Sequence, residues 1–333
     1  MAFWLNSEIT IASTSLSNPT TIRLRSVNDV HIKRSVFTLG DTAVVKLPLT
    51  AYERISNDKL QQVQLKDKFK VGDKIIIKLG YNGELVTEFV GFVNRLNLKA
   101  PLELECEDWS FPLKSINITK SWKKASINEI LKYLAETCKF ALSPDIPEIS
   151  IINFPAHNKT ALWVLQELKD KYGLTIFLNQ DNTLYCGLAY TKNVGKSVKL
   201  INGRNIIKAD DLKWQNKEDV KLRVKAISMD RNGSKLEAVT EGNDGELRTL
   251  YFYDVHKESQ LMEMAKTELE RYKYNGYRGV VNCFLKPYSE PGYAAELTDP
   301  LFPVRGGRYF IESTEVNFGM NGGRRKVTIG IKL

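Results

Sequence analysis

Little in this 333-residue sequence offers ready-made chemistry. Only four cysteines occur, Cys106, Cys138, Cys186 and Cys283, separated by 32, 48 and 97 residues. There is no CxxC pair and no zinc-ligand spacing, and so sparse a set excludes a dense disulfide framework. Cys106 falls on the apolar face of a strand pattern and Cys138 on the apolar stripe of a helix pattern. All four are therefore expected to be small core residues in a reducing compartment. The three histidines, His31, His157 and His256, are isolated, with no HExxH and no second histidine within a turn. They are expected to be structural, and no metal site or cofactor is expected. No Gly-x-Ser-x-Gly elbow is present. Gly195-Lys196-Ser197 mimics the end of a phosphate loop, but Tyr190 stands where that loop needs its first glycine. No apolar run approaches the ~20 residues of a membrane helix, so no membrane insertion is expected. The start, Met1 to Glu8, lacks a basic segment and soon reaches a carboxylate, so it is not expected to be a secretory signal. The Asn-x-Ser/Thr triplets at Asn117, Asn158 and Asn232 then carry no meaning.

What is present is an ordinary globular composition, 43% hydrophobic and 26% charged, long enough for two to three domains. The net charge of +9 is diffuse: roughly +5 over residues 1–100, +1 over 101–200 and +3 over 201–333. A diffuse excess speaks for solubility, whereas a nucleic-acid binder would concentrate it. Arg324-Arg325-Lys326 follows a Gly-Gly turn and leads into an alternating strand, which predicts a solvated strand start.

The organisation is β, then α+β, then β. Residues 1–114 read as short strands. Ile75, Ile77 and Leu79 lie on one side with Lys74 and Lys78 on the other, and Leu102 to Glu107 alternates throughout. Glu84 to Phe92 returns after the Gly80-Tyr81-Asn82-Gly83 turn, with Leu85, Thr87, Phe89 and Gly91 on one face. Residues 115–200 read as a small α+β module. Ser126-Ile127-Asn128-Glu129 is a capping box opening a helix with Ile127, Ile130, Leu131, Leu134 and Cys138 inward. A second helix, about 160–172, buries Leu162, Leu165, Leu168 and Tyr172 and ends at Gly173; a hairpin follows it. Residues 201–333 return to strands, with turns at Arg231-Asn232-Gly233 and Gly242-Asn243-Asp244-Gly245. One inserted helix spans about 257–274 with Leu261, Met264, Ala265, Leu269 and Tyr272 inward. The fold class is thus a β-rich α+β protein: two barrel-like β domains, an intervening α+β module and one inserted helix.

The sequence offers three candidate sites. Glu103, Glu105 and Glu107 share one strand face, beside Asp108. Spaced ~6.6–6.8 Å apart, they could hold a cation or an acid/base pair, but a solvated or lumen-lining acidic stripe is the expected reading. Arg271, Tyr274, Tyr277 and Arg278 have the composition of a nucleic-acid groove, or of an interaction surface where a helix ends and tyrosines pack at a seam. A cell-wall hydrolase would need two carboxylates facing across a cleft.

Two passages carry a family resemblance. Val71-Gly72-Asp73-Lys74-Ile75 through Asn82-Gly83, Phe89-Val90-Gly91-Phe92-Val93 and Leu104-Glu105-Cys106-Glu107-Asp108 resemble the phage late control gene D family. So do Glu290-Pro291-Gly292, Asp299-Pro300, Gly306 to Ile311 and Phe318 to Gly330. These are tail baseplate hub proteins, similar also to the N-terminal hub part of VgrG. The resemblance implies a homotrimer whose two barrel-like domains per chain form a pseudo-sixfold ring between tail tube and spike. It carries over no catalytic residue. Because the sequence stops at Leu333, the spike is expected to be a separate chain. The implied location is the bacterial cytoplasm during assembly, then a virion tail baseplate or injection particle. The two β segments are expected to be pseudo-equivalent barrels. No stable nucleic-acid binding is expected.

Overall fold

A computed structural model describes residues 4–13, 21–56, 59–144, 146–147, 149–187, 196–209, 211–229, 234–241, 245–253, 255, 257–303 and 306–333. His256, Gly195 and the tips of the two glycine-rich turns, at 231–233 and 242–244, lie outside the described residues.

The first segment contains β1 (Leu5–Ala12), β2 (Thr21–Leu24), β3 (Asp29–Ser35), β4 (Thr42–Leu47), β5 (Thr50–Ser56), β6 (Lys59–Gln64), β7 (Lys74–Tyr81), β8 (Glu84–Asn97) and β9 (Leu102–Glu107). Strands β3-β4-β9-β8-β7-β1-β2 are neighbours in that order, and β5–β6 is a separate hairpin. The alternation that pointed to strands also fixes their inner face. Ile75, Ile77, Leu102, Leu104 and Cys106 enter one core with Ile9, Ile32 and Val45. On β8 Phe89 and Gly91 are buried together, but Leu85 and Thr87 do not share their face. Ile77 pairs with Phe89 but Lys78 pairs with Thr87, so Glu88 is an extra residue in a β-bulge. The bulge shifts the phase by one residue. Leu85 and Thr87 are consequently half-buried, while the charged Glu88 is buried.

After the short helix α1 (Ser110–Leu113), the module contains β10 (Asn117–Ile118), β11 (Trp122–Ser126), α2 (Ile127–Cys138), β12 (Ala141–Leu142), β13 (Ser150–Phe154), β14 (Lys159–Thr160), α3 (Ala161–Tyr172), β15 (Thr175–Leu178) and β16 (Thr183–Gly187). The capping box forms as the sequence predicts: Glu129 N–H donates to Ser126 Oγ at 3.1 Å, and Ser126 N–H donates to Glu129 Oε2 at 2.6 Å. On α3, Leu165, Leu168 and Tyr172 are buried as predicted, whereas Leu162 is only half-buried and Val164 is buried beside them. Cys106, Cys186 and Cys283 are buried, Cys138 is half-buried, and all four are free thiols.

Gly173 closes α3 at φ +62°, the left-handed region. A Cβ there would stand 2.0 Å from the Tyr251 ring. Gly173→Ala should therefore cost about 2 kcal/mol, the left-handed penalty plus displacement of that ring. Ser126→Ala, which loses only a cap, should cost about 1 kcal/mol. Urea unfolding midpoints of the two variants check this order.

The last segment contains β17 (Ser197–Ile201), β18 (Ile206–Lys208), β19 (Leu212–Gln215), β20 (Leu222–Met229), β21 (Lys235–Val239), β22 (Glu246–Tyr253), α4 (Glu258–Tyr272), β23 (Gly276–Cys283), β24 (Ala294–Thr298), β25 (Gly307–Gly319) and β26 (Gly322–Lys332). Strands β17-β24-β25-β26-β23, with β18 and β19 both on the outer side of β23, wrap a second core of Val198, Leu200, Val281, Ile311, Val327 and Ile329. The insertion here is larger than the one helix expected, because α4 packs on a separate three-stranded sheet, β21-β20-β22. Met264 on α4 is half-buried, while Leu261, Ala265, Leu269 and Tyr272 are buried as predicted.

The first and last segments share one fourteen-stranded sheet, because β25 pairs with β3 from Ser313↔Ser35 to Gly319↔Asp29. Strand β25 feeds both cores. Tyr309 and Ile311 enter the second, Val316 and Phe318 the first.

Candidate functional site

One face of this common sheet is polar across both segments. Following the register outward from β9, Glu107 lies opposite Thr42, Thr42 opposite Lys33, Lys33 opposite Glu315, Glu315 opposite Lys326 and Lys326 opposite Asn282. A second row runs Glu105, Val44, His31, Asn317, Arg324. Because strand side chains alternate, these rows stand on the side opposite the two cores. Charges alternate along them, as cross-strand pairing favours. His31 Nδ1 lies 2.7 Å from Asn317 Oδ1, Lys46 Nζ 3.1 Å from Asp29 Oδ2, and Lys326 Nζ 3.5 Å from Glu315 Oε1. A groove of about 540 Å³ lies over the join, lined by Lys33, Ser35, Ser313, Glu315, Lys326 and Thr328.

The acidic stripe belongs to this face and is half-buried. Asn97 Nδ2 donates to Glu105 at 2.5 Å and to Glu103 at 3.1 Å, and Lys99 pairs with Glu103 at 3.0 Å. Glu107 accepts from Asn94 at 2.9 Å and pairs with Lys114. The Lys99 contact leads in holding the Glu103 carboxyl below the usual range. A carboxylate so matched is a cross-strand partner. Among the described residues no group of three or more His, Cys, Asp or Glu side chains could hold a metal. Glu107 and Asp41 both line a cleft of about 450 Å³ with Ser110, Lys114 and Trp163. Each is already engaged, Asp41 by Arg34 at 2.9 Å.

Arg271, Tyr274, Tyr277 and Arg278 do not form a groove. Arg271 pairs with Glu268 at 2.7 Å. Tyr274 OH donates towards the carbonyls of Tyr277 (3.1 Å) and Gly330 (3.0 Å), beside the second core. The Tyr277 ring stands edge-on to Trp214 at 5.2 Å, and Arg278 is exposed on β23. His157 Nδ1 lies 2.9 Å from the Thr119 carbonyl, a structural contact.

Beneath the face, on its core side, lies a polar junction that sequence reasoning missed. The expectation that Arg325 is a solvated strand-start residue is overturned. Strand β26 begins three residues earlier, and alternation turns Arg325 inward, leaving it 1% exposed. Its Nη2 donates to Glu88 Oε1 at 2.6 Å and to the Leu285 carbonyl at 3.3 Å, and its Nη1 donates to the Ser289 carbonyl at 3.0 Å. The guanidinium also stacks 5.1 Å from the Tyr288 ring. A second buried guanidinium, Arg34, donates from Nε to Asp41 Oδ2 at 2.9 Å. From Nη1 it donates to Glu290 Oε2 at 3.0 Å and towards Tyr288 OH at 3.3 Å. Gln180 of the module reaches Tyr288 OH at 3.1 Å, and Trp109 Nε1 donates to the Gln180 carbonyl at 2.9 Å. Burial works against ionisation of Glu290, yet Arg34, Tyr293 and Tyr288 together hold its carboxyl below the usual range. The first and last segments are thus tied through buried, charge-assisted bonds, the strong kind, and Gln180 joins the module to them through neutral ones. Asp108 sits at the corner. Burial first, then the Asp41 charge, pushes its carboxyl up to about 7. The arrangement can fasten segments together.

Known structures share this fold over their length. A tail protein from Neisseria meningitidis MC58 is similar with a TM-score of 0.60 at 13% identity, covering 99% of this chain and 96% of the other. The 43 kDa tail protein of prophage MuSo2 from Shewanella oneidensis gives 0.57 at 14%, covering 97% and 96%. An Escherichia coli component of the type VI secretion system, described as similar to the T4 tail proteins gp27 and gp5, gives 0.56 at 9%, covering 96% and 76%. No family model and no curated protein matches the sequence.

Proposed function

We propose that this chain is a structural baseplate hub of a phage tail or related contractile injection apparatus. In this reading three copies form a ring that connects the tail tube to a spike supplied by a separate chain. The observation that supports it is the end-to-end likeness to tail proteins: nearly all of this chain matches nearly all of theirs. A shared enzyme core would leave catalytic groups gathered in a cleft. Here the carboxylates of the sheet face are spent on lysine and asparagine neighbours, and the buried charges fasten segments. In this reading the chain is a scaffold, assembled in the cytoplasm and carried in the finished particle.

Native mass spectrometry of the chain mixed with the spike protein of its particle tests the reading. A complex with three copies of this chain is expected. Absence of any complex, together with salt-sensitive retardation of DNA that Arg271→Ala and Arg278→Ala abolish, would replace the hub by a nucleic-acid-binding module.

A further inference from the structure

The last segment carries a recess of about 340 Å³ between β19 and the loop that follows β24. That volume suits a small ligand. The strand register makes one wall aromatic. Leu212 and Trp214 alternate along β19, and Trp214 lies opposite Tyr277 of β23, so the three side chains share the recess side of the ladder. The Trp214 and Tyr277 rings meet edge to face, 5.2 Å apart at 89°. Phe302 adds a third ring from the loop, 52% exposed, and Trp214 is itself 37% exposed.

The polar end of the recess holds Asp299 and Asn202. Asp299 is only 9% exposed. Its Oδ1 accepts from the Leu301 and Phe302 N–H groups at 3.0 and 3.2 Å, which fixes both the loop and the carboxylate. Asn202 Nδ2 stands 3.4 Å from Oδ2, beyond the ordinary hydrogen-bond range. A carboxylate has about four acceptor positions, so Oδ2 keeps capacity for a further donor. The Asn202 amide beside it offers a donor and an acceptor of its own.

Charge selects the ligand class. Lys213 and Arg278 pair on the same ladder, but alternation turns them to its opposite side. No lysine or arginine lines the recess among the described residues. An anion such as a phosphate would therefore meet the Asp299 carboxylate with no cation to offset it. A cation would use that carboxylate but oppose the Asn202 donor. A neutral sugar ring satisfies every group present: its C–H face suits the negative face of an aromatic ring, and its hydroxyls both donate and accept. We propose that this recess binds a neutral saccharide, with one pyranose ring against Trp214 and Phe302 and its hydroxyls shared between Asp299 and Asn202. The proposal goes beyond the hub reading and does not rest on it.

Saturation-transfer NMR of the full chain with cellotriose, maltotriose and triacetylchitotriose tests it. At least one of the three is expected to bind. Trp214→Ala and Phe302→Ala should each weaken that binding about tenfold, the loss of one aromatic contact. Phe302→Ala is the safer variant for folding, because the bonds from the loop to Asp299 come from backbone N–H groups. Asn202→Ala should weaken binding about fivefold, the loss of a hydrogen bond. Urea unfolding midpoints equal to that of the parent show that the variants remain folded. Failure of all three sugars to bind overturns the inference, as does binding that survives both ring variants. Tighter binding of a thymidine dinucleotide or of choline at these residues also overturns it, assigning the recess to an anion or a cation. None of these results bears on the hub reading, which the mass of the complex with the spike decides.

Discussion

Arg325→Met should destabilise the chain by about 3–5 kcal/mol, the cost of leaving one member of a buried ion pair without its partner. Glu88 is 2% exposed and Arg325 1%, so neither can turn to water when the other is lost. The informative comparison is with the double variant Glu88→Leu/Arg325→Met. Replacing both charges by apolar groups of similar size often restores stability. The double variant should therefore recover most of the loss in urea unfolding midpoint. If it unfolds as early as Arg325→Met, the bonds from Arg325 to the Ser289 and Leu285 carbonyls carry the stabilisation instead of the pair. Strands β8 and β26 belong to the first and last segments, so this pair holds the two segments together from within the core.

Asp108→Asn should stabilise the chain at neutral and alkaline pH and leave it nearly unchanged near pH 4. Asp108 is almost fully buried; Ser110 N–H donates to its Oδ1 at 2.9 Å, while Oδ2 finds no partner among the described residues. Burial and the nearby Asp41 raise its carboxyl from 3.8 to about 7. Between those values the folded chain keeps a proton that the unfolded chain has released, so stability falls as pH rises, by ~1.4 kcal/mol per pH unit for one such group. The contribution is full below about pH 4 and gone above about pH 7. The lowered carboxyls, Glu103 and Glu290, act with the opposite sign, weakening the fold on acidification. Subtracting the variant's pH profile from that of the parent isolates Asp108. A difference of about 2–4 kcal/mol should open between pH 4 and 8, in thermal or urea unfolding. A flat difference would mean that Asp108 is ionised in the folded chain.

The strands and helices whose signal is local were legible. Ile75, Ile77 and Leu79 alternate with lysines, Ser126 and Glu129 box the start of α2, and Gly173 ends α3; each is set by its immediate neighbours. The order of these pieces along the chain also carried the family resemblance, though no single motif was distinctive. Two features were not legible. A bulge is a property of two strands in register, so nothing around Glu88 announces that it is the extra residue. Arg325 looked like one of three solvated cations because its phase depends on where β26 begins, and the partner that compensates its burial is 237 residues away. A charged residue falling on the apolar phase of an otherwise alternating strand was the available signal. The acidic stripe follows from the alternation along β9, but its lysine and asparagine partners come from β8 and the loops beside it.

The dual allegiance of β25 bears on how the chain is made. The first segment exposes the open side of β3 until residues 307–319 have been synthesised, some 200 residues after its own last strand. Contacts this distant in sequence close slowly, and an uncovered edge is prone to pairing with the wrong neighbour while it waits. The nascent chain therefore covers β3 only after residue 319, and a ribosome stalled before residue 307 would carry a first segment with that edge open to other chains.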